Sequence, residues 1–255
     1  MRQSVFLWIG AVFIAFFAAY IQDVTSPYYP VNGVLDINGY KVSYSFDKVY
    51  RGKDQYRVWA VSNLNGLTGE LLWKNKYDTL KWNAVPMKIN GEVLEAFIPS
   101  HPPLEKVDYK VKLDYEGKKY FIPDKGGLEM EFLGKVPRQI SMFFYITLYV
   151  GILFAIRTGL EIFNDKPRLR MYTLFTVMDI FAFSMLFSSV RRSTELNAIG
   201  NNVVPIGAIF SISAMLLLAL WIAVMILVFA TKKPKVWAMT GAVATLILFF
   251  AGSFY

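Results

Sequence analysis

Val203 to Ala230 reads VVPIGAIFSISAMLLLALWIAVMILVFA, and none of its side chains carries a charge. The hydrocarbon core of a bilayer is about 30 Å thick and takes roughly 20 residues of helix to cross, so this run is long enough to span one. The same test applied outward finds Met171 to Val190 and Ile140 to Ile156 before it, Val236 to Phe254 after it, and Ser4 to Ile21 near the N-terminus. Only Met171 to Val190 holds an acidic or basic residue, Asp179. Hydrophobic residues make up 55% of the chain and its mean hydropathy is +0.38, too apolar for an ordinary soluble domain.

Between the first two runs lies a polar stretch that no span explains. Residues 22–137 hold sixteen Lys/Arg and fifteen Asp/Glu, leaving eleven basic and four acidic residues for the rest of the chain. The net charge of +8 therefore belongs mostly to the segments flanking spans, where it reports orientation. Arg2, then Arg157, Lys166, Arg168 and Arg170, then Lys232, Lys233 and Lys235 fall on one side under strict alternation, and the positive-inside rule makes that side the cytoplasm. Residues 22–137, the loop Arg191 to Asn202 and Tyr255 go to the other side, with Arg191 and Arg192 counting against that assignment. No basic face suited to nucleic acid occurs in the polar stretch. The expected organisation is an anchor over 1–21, an extracytoplasmic domain over 22–137, and a four-helix bundle over 138–255, in a bacterial inner membrane with the N-terminus cytoplasmic. Phe16 and Phe17 interrupt any small-residue cleavage site, so the first run reads as an uncleaved anchor, with Ala11, Ala15 and Ala19 as a packing stripe.

The polar domain alternates as strands do. Tyr40, Val42, Tyr44 and Phe46 face one way and Lys41, Ser43 and Ser45 the other; Val107, Tyr109, Val111 and Leu113 repeat the pattern. Asn38-Gly39 and Asn90-Gly91 suit type I′ turns, and Glu116-Gly117 makes a third hairpin. Strands near 31–37, 40–46, 56–61, 69–74, 84–89, 92–98, 107–114 and 118–122 give an all-β sandwich of two sheets.

Within it, Glu70-Leu-Leu-Trp73, Trp82, Val85-Pro-Met87, Gly91 to Pro99, Val107-Asp-Tyr109-Lys-Val111 and Phe121-Ile-Pro123 resemble the strand order of bacterial fibronectin-III or immunoglobulin-like domains. The whole layout is similar to a group of small bacterial membrane proteins with an anchor, one such sandwich and a terminal helical bundle. The resemblance implies a spacer, an adaptor or a sugar-binding module. Fold alone does not set function.

Candidate functional residues fall in three places. Trp59, Trp73 and Trp82 are the material for an aromatic platform facing a glycan or a protein, and equally for a core. The outer loop offers Arg191, Arg192 and Glu195, with Asn201 and Asn202, to dock against the sandwich or a partner. Asp179 lies near the middle of its run, where a charge costs at least ~2.5 kcal/mol. Thr176 and Tyr172 share its helical face, and Tyr145, Thr147, Tyr149, Ser211, Ser213 and Thr240 supply hydroxyls on other runs. A carboxyl at that depth either bonds across helices or handles protons or a cation. Arg157 and Glu161, spaced i, i+4, either pair or reach the interface separately.

Chemistry-bearing motifs are scarce. Cysteine is absent, and His101, the single histidine, sits in the loop Ser100-His-Pro-Pro103, so no zinc set is available. No cofactor or metal is expected. The sequence favours a non-enzymatic membrane component, an accessory or adaptor subunit in contact with membrane lipid, working with a protein partner or as a homo-oligomer and with a glycan as a further candidate ligand. A proton- or ion-coupled transporter built on Asp179 is the alternative, although Pro205 is the only expected helix interruption.

Overall fold

The computed structural model describes residues 2–77, 82–124, 126–197 and 206–252. It divides into two compact units, residues 1–26, 136–194 and 203–255 forming one, and residues 27–135 with 195–202 forming the other.

The second unit is a β-sandwich. One sheet has the order β1 (Val31–Ile37), β2 (Tyr40–Phe46), β4 (Tyr56–Val61), β8 (Val93–Ile98), β7 (Lys88–Asn90). The other has the order β3 (Val49–Arg51), β11 (Leu128–Leu133), β9 (Lys106–Tyr115), β5 (Thr68–Asn75), β6 (Asn83–Pro86), with β10 (Lys118–Ile122) also on β9. Val107, Tyr109, Val111 and Leu113 of β9 are all buried, as their alternation requires, and meet Phe46, Val58 and Ile98 from the other sheet. β10 and β11 follow one another along the same edge of β9, which they pair at residues 111–115 and 106–109 respectively.

Three sequence expectations change. The run 84–89 is two strands in two different sheets, split at Met87, whose side chain enters the core. The Met87 N–H still bonds the Gly69 carbonyl at 2.8 Å, so the Pro86 nitrogen points away from β5, where edge strand β6 tolerates a proline, and the chain leaves this sheet after Met87. Two strands went unread: β3, three residues long and parallel to β11, and β11 itself. The turn after β7 has Gly91 and Glu92 at its centre, because Asn90 already pairs with Val93. Gly91, at φ +64°, meets the glycine-first requirement of a type II′ turn. Asn38-Gly39 and Glu116-Gly117 have positive φ at both positions, as type I′ turns need.

The first unit is helical: α1 (Arg2–Thr25), α2 (Arg138–Leu160) with a 3₁₀ turn to Phe163, α3 (Leu169–Phe181), a π-helical segment (Ala182–Phe187), α4 (Ser188–Asn197), α5 (Ile206–Ile209), α6 (Ile212–Ala230) and α7 (Pro234–Ala251). Among the described residues five helical stretches are long and apolar enough to cross a membrane, Gln3–Thr25, Arg138–Phe163, Leu169–Leu196, Ile212–Ala230 and Pro234–Ala251. Pro205 lies outside the described residues. Helix α6 instead starts after Ser211, whose extended backbone (ψ 128°) separates it from α5, and the π segment interrupts the third span, so interruptions arise where no proline marks them.

Helix contacts rest on small residues. Gly159 of α2 lies against Ala242 of α7, and Gly241 against Val224 of α6. The buried stripe of α1 is Ala11, Ala18 and Gln22, with the expected Ala15 and Ala19 partly buried; Ala18 is deeper than Ala19 because a 3.6-residue turn drifts off a strict spacing of four. Gln22 donates to the Phe249 carbonyl at 2.8 Å, joining the end of α1 to the end of α7. The other ends meet through Gln3, which donates to the Phe163 carbonyl at 2.7 Å, and Lys235, which donates to the carbonyls of Ile162 and Asn164 at 3.3 and 3.2 Å.

Candidate functional site

Helices α2 and α3 run antiparallel in contact, and the polar groups of the bundle are strung along their seam. At one level Gly151 of α2 faces Asp179: a Cβ at residue 151 would lie 2.7 Å from the Asp179 Oδ2 and 3.2 Å from the Ile180 Cγ1. That Oδ2 is buried, and no hydrogen-bond partner reaches it among the described residues. The backbone changes character just beyond. The Ser188 N–H reaches back five residues to the Phe183 carbonyl, and the Ser184 hydroxyl donates to the Ala214 carbonyl of α6 at 2.8 Å. Such π segments open a helix locally and occur frequently at functional sites.

The expected companions of Asp179 are engaged elsewhere. Thr176 donates to the Tyr172 carbonyl at 2.8 Å and shares a 3.0 Å hydrogen bond with Thr158 of α2. Tyr172 packs edge-on to Trp8 and lies 4.5 Å, ring centroid to guanidinium carbon, from Arg157. The antiparallel seam explains this: moving from Asp179 towards the start of α3 means moving towards the end of α2, so Thr176 meets Thr158 and Tyr172 meets Arg157. Thr147, named as a possible partner, donates to the carbonyls of Phe143 and Phe144 on its own helix.

At the end of the seam Arg157 and Glu161 form an ion pair of 2.6 Å with both side chains fully buried. The two alternatives left open by the sequence thus resolve to pairing. Arg157 also donates to the Ser4 hydroxyl at 3.2 Å, and its guanidinium lies 5.5 Å from the Trp8 ring. Glu161 accepts from the Arg168 N–H at 2.7 Å and from Asn164 at 3.1 Å. The Glu161 lone pairs are satisfied in this way, whereas the Arg157 Nε is buried without a hydrogen-bond partner among the described residues, its guanidinium lying over the Trp8 and Tyr172 rings. The sequence carried a signal for the pair in its spacing but none for its depth.

The outer-loop candidates are placed as follows. Arg191 is buried in the first unit with its guanidinium 4.2 Å from the Phe144 ring, Arg192 is half-buried, and Glu195 belongs to the second unit. There Glu195 pairs with Arg51 at 3.3 Å, and its carbonyl accepts the Gly134 N–H at 2.8 Å. Asn201 and Asn202 lie outside the described residues, as does Tyr255.

The three tryptophans do not come together. Trp59 faces outward from β4; Trp73 packs against the core beside His101; Trp82 covers the outer face of the other sheet. On that face the Lys110 Nζ sits 4.6 Å from the Trp82 ring and 5.3 Å from the Phe121 ring, with the Lys74 Nζ 5.4 Å from Trp82. The alternation of β9 already puts Lys110 on the outer face; Phe121 was missed, and its register opposite Lys112 puts it there too. His101 is in its loop as read, yet buried, its ring nitrogens 2.7 Å from the Pro99 carbonyl and 3.1 Å from the Asn75 Oδ1. That is a packing role. Burial likewise pushes the Tyr56 phenol up to about 12 and the Tyr109 phenol well above its ordinary value; Tyr109 donates to the Asp47 carbonyl at 2.7 Å.

Among the described residues no group of three His, Cys, Asp or Glu side chains is placed to hold a metal ion. No protein-family model matches the chain and no curated protein matches it. A solved structure, that of a bromine derivative of BhCBM56, is similar over 42% of this chain and 95% of its own, with 8% sequence identity and a TM-score of 0.25. A likeness that slight transfers neither fold nor function, and the chain is assigned to no family.

Proposed function

We propose that this chain is a non-enzymatic component of a bacterial inner membrane, an accessory or adaptor subunit whose helices sit in the bilayer with the N-terminus cytoplasmic and whose sandwich meets a partner protein or a glycan outside. The observation that carries the membrane reading is α1. Apart from its narrow alanine stripe, Phe6 is 70% exposed, Phe13 73%, Phe16 77% and Phe17 64%, a phenylalanine surface suited to lipid or to another subunit. The joining of Gln3, Phe163, Ile162, Asn164 and Lys235 supports gathering the basic flanks at one end, as the positive-inside rule asks. The strand order supports the finer, immunoglobulin-like reading of the sandwich: β4, β8 and β7 correspond to strands B, E and D of one sheet, and β5, β9 and β11 to C, F and G of the other. A second reading, an ion-coupled subunit, is favoured by one observation, the unpartnered Oδ2 of Asp179 beside a π-helical segment.

Because the chain has no cysteine, single substitutions test the topology directly. In intact cells a membrane-impermeant maleimide should label Lys118→Cys, in the β9–β10 hairpin, and should reach Lys233→Cys only after the membrane is opened; the reverse pattern overturns the orientation. Photocrosslinking from the Trp82 and Lys110 face in native membranes should join one defined partner or a glycan. Crosslinks from α1 alone, with none from the sandwich, would refute the adaptor role and leave the anchor reading.

A further inference from the structure

We propose that the carboxyl of Asp179 is a proton-binding site inside the bundle and that Gly151 is the residue that positions it. The proposal rests on the ion-coupled reading above and adds to it the ligand and a second residue. Two glycines of α2 face neighbouring helices and do different things. A Cβ at Gly159 would meet the Ala242 Cβ of α7 at 2.4 Å, a contact of carbon with carbon that lets two helices approach. A Cβ at Gly151 would meet a carboxylate oxygen at 2.7 Å, so this glycine makes room for a polar atom where hydrocarbon would otherwise fill the seam.

The surroundings of that oxygen decide what it binds. Helices α2, α6 and α7 and the π segment all pack against α3. The π segment and α6 carry no acidic, basic or tyrosine side chain. Helix α7 brings Lys235, bonded to two carbonyls, and α2 brings Arg157, paired with Glu161, and Tyr145 and Tyr149, whose rings stack on each other. Helix α3 itself has Arg170, 5.3 Å from the Phe229 ring, and Tyr172 beneath Arg157; α1, which meets α3 through Trp8, adds Tyr20 and Asp23. Among the described residues no cation lies within salt-bridge distance of Asp179 and no hydroxyl bonds its Oδ2. A metal cation needs a shell of several oxygens. A proton needs none, so it is the ligand this site fits.

The test is labelling with a hydrophobic carbodiimide, which captures a protonated carboxyl in apolar surroundings as a stable N-acylurea, on the full chain in native membranes over a pH series, with the adduct mapped by mass spectrometry. Label is expected at Asp179, falling as pH rises through one midpoint, lost in Asp179→Asn and kept in Asp179→Glu. Gly151→Ala should lose the label or move its midpoint, whereas Gly10→Ala, whose added Cβ would stay 3.8 Å from its nearest neighbour, should leave both unchanged. Absence of label at Asp179 at every pH overturns the proton site, and a Gly151→Ala protein that labels like the parent overturns the positioning role. Should Gly151→Ala fail to accumulate, the double variant Gly151→Ala/Asp179→Ala should restore it, since the clash is with that carboxyl; no restoration also overturns the positioning role. Labelled Asp179 combined with unchanged ion-dependent growth of Asp179→Asn cells would refute the coupling reading and leave the site standing.

Discussion

In the sandwich, Phe46, Leu71, Tyr109 and Phe132 are inside, while Glu70, Glu95 and Glu129 pair with Lys112, Arg57 and the lysines 76 and 106 on the outer faces. In the helical unit Trp221, Leu148 and Phe183 are buried together with Arg157, Glu161, Thr158 and Thr176, and Phe13, Phe16, Leu216 and Ile247 face out. The two units thus differ in what they show outside and in how much charge they bury. Apolar burial is favourable only against water; where the surroundings are hydrocarbon, helices gain nothing by hiding leucine, and the groups that must be hidden and satisfied are the polar ones. The comparison fits the proposal that the helical unit is surrounded by lipid and the sandwich by water.

The largest expected effect comes from breaking the buried pair. Arg157→Met leaves the Glu161 carboxylate uncompensated and should cost about 3–5 kcal/mol, read as loss from the membrane fraction and a lowered melting midpoint in detergent. Arg157→Met/Glu161→Met should recover most of that loss, because removing both charges removes the desolvation cost as well. No recovery would mean the pair is needed for more than its charge. In the sandwich the corresponding change is apolar: Leu71→Ala should cost about 2–5 kcal/mol in denaturant unfolding of the sandwich signal. If it lowered the bundle's transition equally, the two units would not be independent in stability and the comparison would lose its basis.

The smallest effect belongs to the outer charges. Glu129 is held below its ordinary value, first by its hydrogen bond from Lys106 and then by that from Lys76. Its contribution is therefore present above the unfolded carboxylate value of 4.5 and is lost as pH falls through the lower folded value. The group is more than a third exposed and screened, so Glu129→Gln should cost no more than about 1 kcal/mol near neutral pH and should flatten the acid limb of the stability profile. A larger cost would show that this face is less open to water than its exposure indicates.

Long apolar helices, strands and most turns were legible because they depend on neighbours in sequence. Charge-free runs, the alternation of Val107 to Leu113 and the Asn38-Gly39 pair each state a local preference that folding kept. Where one run serves two sheets, reading failed: Val85-Pro86-Met87 looked like one strand, and only the opposing sheets show that Met87 makes the last bond to β5 and turns its side chain into the core as the chain crosses. β3 was missed because a three-residue strand has too few residues to show a period and becomes a strand by lying beside its partner; β11 was missed although Leu128, Met130 and Phe132 alternate with Glu129 and Glu131.

The sequence alone determined which segments are apolar enough for long helices, which segments alternate as strands, and where the basic residues and Asp179 fall among them. It could not determine what meets what. That Gly151 opposes Asp179, that Thr176 turns to Thr158, that Arg157 and Glu161 are sealed inside, and that Trp59, Trp73 and Trp82 part company are all decided by the approach of residues far apart in the chain. Side-chain period is a property of one helix or strand, whereas contact requires the relative placement of two, which no single segment encodes.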